Sequence, residues 1–314
     1  MIRNGYQALR EGVAIVDLTG RGLIRATGQD RARYLHAMST NHVLEMTPGE
    51  LRYLFFLTAQ GRILADANLL CGEDSFLIGT EPHTRQLVVD HLNKFIIGDD
   101  VILTDETSQW VIFGIEGPTS AHLLDTLGIE NAPAPGNWMP WKRGFIAGAS
   151  STGAPACRMI VPLGEKQSTF DWLTGIGAFP ATAEEARIVR LENARPRYGE
   201  DIDDRTLVQE TRLMHAVHFT KGCYLGQEIV ERVRSRGQVN RMLAQLVLET
   251  DTPPPAQTPL THSGAAAGHI TSAAWSPALG KVVALGYVTA AALASKAPLD
   301  AGGIAATVTD RAPA

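Results

Sequence analysis

Three consecutive prolines, Pro253, Pro254 and Pro255, inside the run DTPPPAQTP, constrain this chain more than any other local feature. Proline has no N–H to give to a helix or a central strand, so neither element can pass through this segment. The prolines therefore predict a linker at residues 250–259, dividing a body at 1–249 from a C-terminal unit at 260–314. At 314 residues and 45% hydrophobic, the chain has enough apolar material to fill more than one core.

Before the prolines, apolar residues alternate or cluster in short runs. Residues 13–18 and 22–26 read as a strand pair turning at Thr19-Gly20, followed by a short helix over 30–38 with Asp30 as its cap. Further strand-like runs fall at 51–57, 67–70, 76–78, 111–115 and 158–162, with helix-like stretches at 83–95, 119–127, 166–173 and 183–194. This order predicts an α+β protein with antiparallel sheets, not a doubly wound parallel sheet. Residues 131–153, rich in Pro, Gly, Ala and Ser, read as a long surface loop. Beyond the prolines, runs at 268–272 and 282–289 predict a small β-barrel or sandwich.

A net charge of −5 argues against a surface that grips nucleic acid as a whole and leaves any anionic partner to a local patch. No stretch reaches the roughly 20 apolar residues that span a bilayer, and the first 20 residues lack a secretory pattern, so the expected location is the cytoplasm. The three cysteines, Cys71, Cys157 and Cys223, form neither a disulfide framework nor a run that could hold a cluster alone.

The densest chemistry lies at residues 221–228, KGCYLGQE. Gly222 and Gly226 permit tight turns on either side of Cys223 and Tyr224, which places the thiol on a loop. From Gln227 and Glu228 onward the chain reads as a helix, whose positive end, together with Lys221, would favour the thiolate that attacks disulfides, accepts sulfur or ligates iron. The alternative is a small buried hydrophobe beside two structural glycines.

The string KGCYLGQEIVERVRSRG closely resembles the signature of the YgfZ family, in which a cysteine sits within Lys-Gly-Cys-aromatic-x-Gly-Gln-Glu. Residues 190–203, RLENARPRYGEDID, and 268–288, GHITSAAWSPALGKVVALGYV, extend the resemblance. It implies an aminomethyltransferase-like folate-binding fold of two interleaved α+β lobes with a C-terminal β-barrel. It also implies tetrahydrofolate, or a one-carbon derivative, as cofactor, and a role in assembling or repairing iron–sulfur clusters. Partners would be iron–sulfur assembly proteins and four-iron client enzymes, some of which modify transfer RNA, with Cys223 as a transient cluster ligand and no stable metal site.

Spacings of three and four place Glu192 beside Ile188 and Val189 on one helix face, so its carboxylate needs a donor pair. The resemblance implies that the aminopyrimidine edge of a pterin supplies it; the alternative is an internal ion pair with Arg195, Arg197 or another arginine. Tyr53 and Tyr198 are candidate pocket walls. Arg232, Arg234, Arg236 and Arg241 form a basic segment beside Cys223 that could attract the glutamate tail of folate or an RNA phosphate, but alternating charge favours a solvated helix face, against direct RNA binding. The related aminomethyltransferases carry two consecutive acids where this chain has Ala65 and Asp66, so one candidate catalytic acid is missing while Asp66 remains. That points away from an efficient aminomethyltransferase and leaves a folate-dependent transferase or demethylase as the competing reading.

Overall fold

The computed structural model describes residues 2, 4–129, 131–237 and 239–313. It contains a six-stranded sheet, a five-stranded sheet and a closed six-stranded barrel. The five-stranded sheet runs in the order Leu51–Leu57, Ile63–Cys71, Phe76–Thr80, Gly22–Thr27, Ile102–Asp105, and the six-stranded sheet in the order Phe179–Ala181, Ala14–Asp17, Trp110–Glu116, Ala156–Pro162, Gly144–Ala147, Trp138–Trp141. The first strand of the chain belongs to one lobe, the next five to the other, and the chain then returns. The lobes are interleaved as expected, and the class is α+β.

Alternation along each strand decides what meets what. Ile24, Phe56, Ala65 and Ile78 face one way and bury Leu35 and Met38 of helix Arg31–Met38 and Val88 and Leu92 of helix Arg85–Phe95. In the six-stranded sheet, Phe113, Ile115, Met159 and Val161 bury Leu123 and Leu124 of helix Ser120–Thr126 and Leu173 of helix Lys166–Gly175. The opposite faces meet each other: Leu23, Leu51, Leu70 and Leu77 pack against Ile112, Phe145, Ala147 and Ile160. The body is thus four layers, helix, sheet, sheet, helix, with its ligand-sized gap between the two sheets.

Three expectations are corrected. Residues 13–18 and 22–26 form strands but not a pair: Ala14–Asp17 joins Trp110–Glu116 and Phe179–Ala181, whereas Gly22–Thr27 joins Phe76–Thr80 and Ile102–Asp105. Residues 131–153 are not all loop, because Trp138–Trp141 and Gly144–Ala147 form a hairpin at the sheet edge. The proline run is not a linker ahead of the barrel, because Arg241–Leu248 pairs along its whole length with Lys281–Thr289. The prolines fill the connection between the barrel's first and second strands, which excludes regular structure without separating domains.

The barrel docks on helix Ala183–Glu192. Leu191 and Ala194 pack against Leu243, Val283, Leu285 and Tyr287, and Gln245 donates to the carbonyls of Leu191 (2.6 Å) and Glu192 (3.0 Å). The Leu191 carbonyl also accepts from the Ala194 N–H of the terminal turn (3.0 Å), and the barrel's Gln245 completes the capping of the helix C-terminus. A Thr182–Glu185 capping box closes the other end.

Candidate functional site

The inward-facing positions of both sheets change from apolar to polar along the strands. Leu51 is followed on the same face by Tyr53; Leu70 is preceded by Asn68 and Asp66; Ile160 is preceded by Arg158; Ile112 is followed by Gly114 and Glu116. Where the polar ends meet, the sheets part into a cleft of about 290 Å³, near the lower end of the roughly 300–1,000 Å³ usual for small-molecule sites. Its other walls come from residues 16–21 where the chain crosses between lobes, from Glu81, from Ser150–Thr152 and from helix Ala183–Glu192.

Tyr53 donates to Oδ2 of Asp66 at 2.8 Å. Burial, then the nearby Glu81, raises the Asp66 carboxyl above its ordinary value, and burial with Asp66 beside it raises the Tyr53 phenol. Glu81 is drawn the other way: burial opposes its charge, but ion pairs with Arg21 and with Arg197 (2.9 Å) outweigh that and lower its pKa. Two nearby carboxyls are therefore shifted in opposite directions, one down by arginine and one up by burial. Ala65 lies on the opposite face of the strand in the apolar core, so the cleft's own acid, Asp66, is the one this chain retains.

Glu116, fully buried, accepts from the backbone of Ser151 (2.8 Å) and Thr152 (3.0 Å) and from the Ser150 hydroxyl (3.1 Å), pinning the loop that closes one wall. Neither it nor Glu81, Arg21 and Arg158 was singled out by the sequence. The available signal was a charged residue within an otherwise apolar strand, as in ACRMIVP.

Two sequence candidates lie elsewhere. Glu192 is two positions past Arg190, about 200° around the helix, and turns from the cleft that Arg187 and Arg190 line. Its carboxylate accepts from Tyr6 (2.7 Å) and Ser276 (2.6 Å) and pairs with Arg10 at 3.4 Å, joining the first helix, its own helix and the barrel. The internal-pairing alternative describes it, with Arg10, not Arg195 or Arg197, as the arginine. Tyr198 is buried, donates to the Leu64 carbonyl at 2.5 Å and stacks on His83, supporting the strand that carries Asp66 without lining the cleft.

Cys223 is exposed, whereas Cys71 and Cys157 are buried, and burial pushes the Cys157 thiol up to about 12. Several residues of the 221–228 motif anchor the loop that carries Cys223. Lys221 is buried and donates to the carbonyls of His36 and, at 2.8 Å, Ser39, at the C-terminal end of helix Arg31–Met38. Burial pulls its ammonium down to about 7, against the opposing field of Cys223. The Tyr224 ring lies 4.7 Å below that nitrogen, Leu225 N–H bonds to Ala37, and Gln227 accepts from Tyr224 N–H at 3.2 Å. Gly226 has φ +84°, and a Cβ there would lie 2.5 Å from the Thr58 carbonyl, so glycine is required. Gly222 is also left-handed, but it faces open space.

Helix Gln227–Arg236 follows. On it Arg232 pairs with Glu228 (2.6 Å) and Arg234 with Glu231 (3.2 Å), while Arg241 pairs with Glu210 (3.0 Å). The basic segment is largely neutralised by its own acids; the side chain of Arg236 lies outside the described residues. Among the described residues no group of three His, Cys, Asp or Glu side chains is arranged to hold a metal ion, and no helix is long and apolar enough to cross a membrane.

Fold and cleft together define an α+β protein with a small-molecule-sized cleft between two interleaved lobes and an appended barrel. Residues 1–221 match the GCVT N-terminal domain and residues 241–312 the glycine cleavage T-protein C-terminal barrel domain, and the chain belongs to this family. It is 26% identical over 294 residues to an aminomethyltransferase of Rubrobacter xylanophilus, covering 91% of this chain and 79% of that one. An aminomethyltransferase of Streptomyces avermitilis is 27% identical over 304 residues, covering 92% and 82%. The crystal structure of the glycine cleavage system aminomethyltransferase T from Bartonella henselae superposes with a TM-score of 0.89 over 98% of this chain and 88% of that one, at 22% identity, and shows the same fold.

Proposed function

We propose that this chain is a folate-binding factor of the YgfZ type, serving the assembly or repair of iron–sulfur clusters in client enzymes. The observation that carries the reading is the exposed Cys223 on a loop that Lys221, Tyr224, Gly226 and Gln227 anchor to the body. A buried hydrophobe would need no such support. Cys223 offers one sulfur and the other two cysteines are buried, so further ligands to a cluster come from an assembly protein, a client or a second chain. Effects on transfer RNA modification follow indirectly, through four-iron enzymes in the cytoplasm.

The cleft suits tetrahydrofolate or a one-carbon derivative. Asp66, backed by Tyr53, is a carboxylate that can receive paired N–H groups, the role that the family resemblance implies for Glu192. Bound folate supplies a ring nitrogen that accepts a one-carbon unit; this chain's residues orient the ring and hold the acid. A folate-dependent transferase or demethylase is the second reading, favoured by one observation: Asp66 faces the cleft although residue 65 is alanine.

Complementation separates the two. In a strain lacking its own factor, wild-type chain restores a four-iron enzyme under oxidative stress and folded Cys223→Ala does not. Equal rescue by both would remove the cysteine from the function, and rapid turnover of folate with an aminomethyl carrier would replace the maturation reading with the transferase one.

A further inference from the structure

Six arginines line the cleft: Arg21, Arg158, Arg187, Arg190, Arg195 and Arg197. Arg21 and Arg197 share Glu81, Arg187 pairs with Glu200 at 2.6 Å, and Arg190 pairs with Glu200 at 2.7 Å and with Asp201. Arg158 differs. It is 8% exposed, forms no such pair among the described residues, and its Nε has no hydrogen-bond partner there.

The surroundings make that arrangement costly. The fields of Arg21 and Arg195 reach Arg158, and burial together with those two cations pulls its guanidinium down to about 9. The carboxylates whose fields oppose this are Glu116 and Glu81. Glu116 is saturated by the Ser150–Thr152 loop, and Glu81 is taken by Arg21 and Arg197. A buried guanidinium flanked by like charge and served by no carboxylate is what a site for an incoming anion requires.

We propose that Arg158 holds a carboxylate group of the ligand in the cleft, opposite the Asp66–Tyr53 end that receives its N–H groups. This rests on the reading of the cleft as a ligand site but not on the ligand being folate. The carboxylate has two sources, the glutamyl tail of a folate or a small amino acid bound beside the ring. The side chain's planar donors match a carboxylate two at a time, which is specific to arginine and not merely to positive charge.

Binding of four probes to the full-length wild type, Arg158→Gln and Arg158→Lys tests this by calorimetry: tetrahydrofolate, 6-methyltetrahydropterin (which has no carboxylate), 4-aminobenzoyl-glutamate, and glycine with and without saturating methylpterin. Arg158→Gln is expected to weaken a carboxylate probe at least about tenfold, with partial recovery in Arg158→Lys, and to leave methylpterin within about twofold. Loss confined to tetrahydrofolate and aminobenzoyl-glutamate identifies the tail as the source; loss on glycine identifies a separate small ligand. Removing an uncompensated buried charge should also raise the melting temperature by a few degrees, whereas a merely structural arginine would lower it. Unchanged affinity for every carboxylate, equal loss of methylpterin, or a wild type that binds no carboxylate overturns the proposal. A wild type that binds aminobenzoyl-glutamate or glycine but neither pterin overturns the folate reading alone.

Discussion

The cleft and the Cys223 loop solve the problem of presenting a reactive group in opposite ways. In the cleft, Tyr53, Asp66 and Arg158 stand on strands of two facing sheets, and burial shifts both carboxyl and guanidinium. On the loop, Cys223 stands in solvent, and the buried groups are its neighbours. The cleft is assembled from residues spread from 16 to 197, the loop from eight consecutive ones. A site made of strands can tune a pKa; a site made of a loop can reach a partner.

The strongest way to break this contrast is to cross the two sites. Cys223→Ala should remove activity in cells at least about tenfold while folate affinity stays within about twofold, and Asp66→Asn should weaken folate on the order of tenfold, the worth of a charge-assisted hydrogen bond, while Cys223 still reacts with a thiol reagent. Parallel losses in both assays would mean one coupled site.

The pH dependence sharpens the same point. Because burial and Glu81 raise the folded-state pKa of Asp66 above 3.8, its contribution to stability is full below that unfolded value and is lost as pH rises through the raised one. A ligand giving N–H groups to the carboxylate competes with that proton, so affinity in calorimetry should fall as pH drops through the raised pKa. Asp66→Asn should flatten the profile and not lower the melting temperature.

Smaller effects test the scaffolding. Gly226→Ala forces a left-handed alanine against the Thr58 carbonyl and should cost on the order of 2 kcal/mol, seen as a lower denaturant midpoint and altered Cys223 labelling with folate affinity kept. Glu192→Gln should cost about 1–2 kcal/mol by loosening a buried charged hydrogen-bond set and leave folate affinity within about twofold. A large loss of folate in Glu192→Gln would return that residue to the site.

The sequence by itself determined the elements and the motif. Side-chain periods of 2 and 3.6 follow from backbone geometry, so the strands at 51–57 and 111–115 and the helices at 83–95 and 183–194 were legible within a few residues, as was the glycine-flanked Cys223. Tertiary structure decided which faces meet. Helix phase alone placed Glu192 on an apolar face but could not say that the face packs on Tyr6 and the barrel, while Arg187 and Arg190 take the cleft. Alternation put Arg158 opposite Met159 but not beside Arg21. The turn at Thr19-Gly20 looked like a hairpin and became the crossing between sheets, and the prolines looked like a linker and became a barrel loop. A residue's period fixes its direction relative to its own element, whereas its partners depend on long-range pairing that no local pattern encodes.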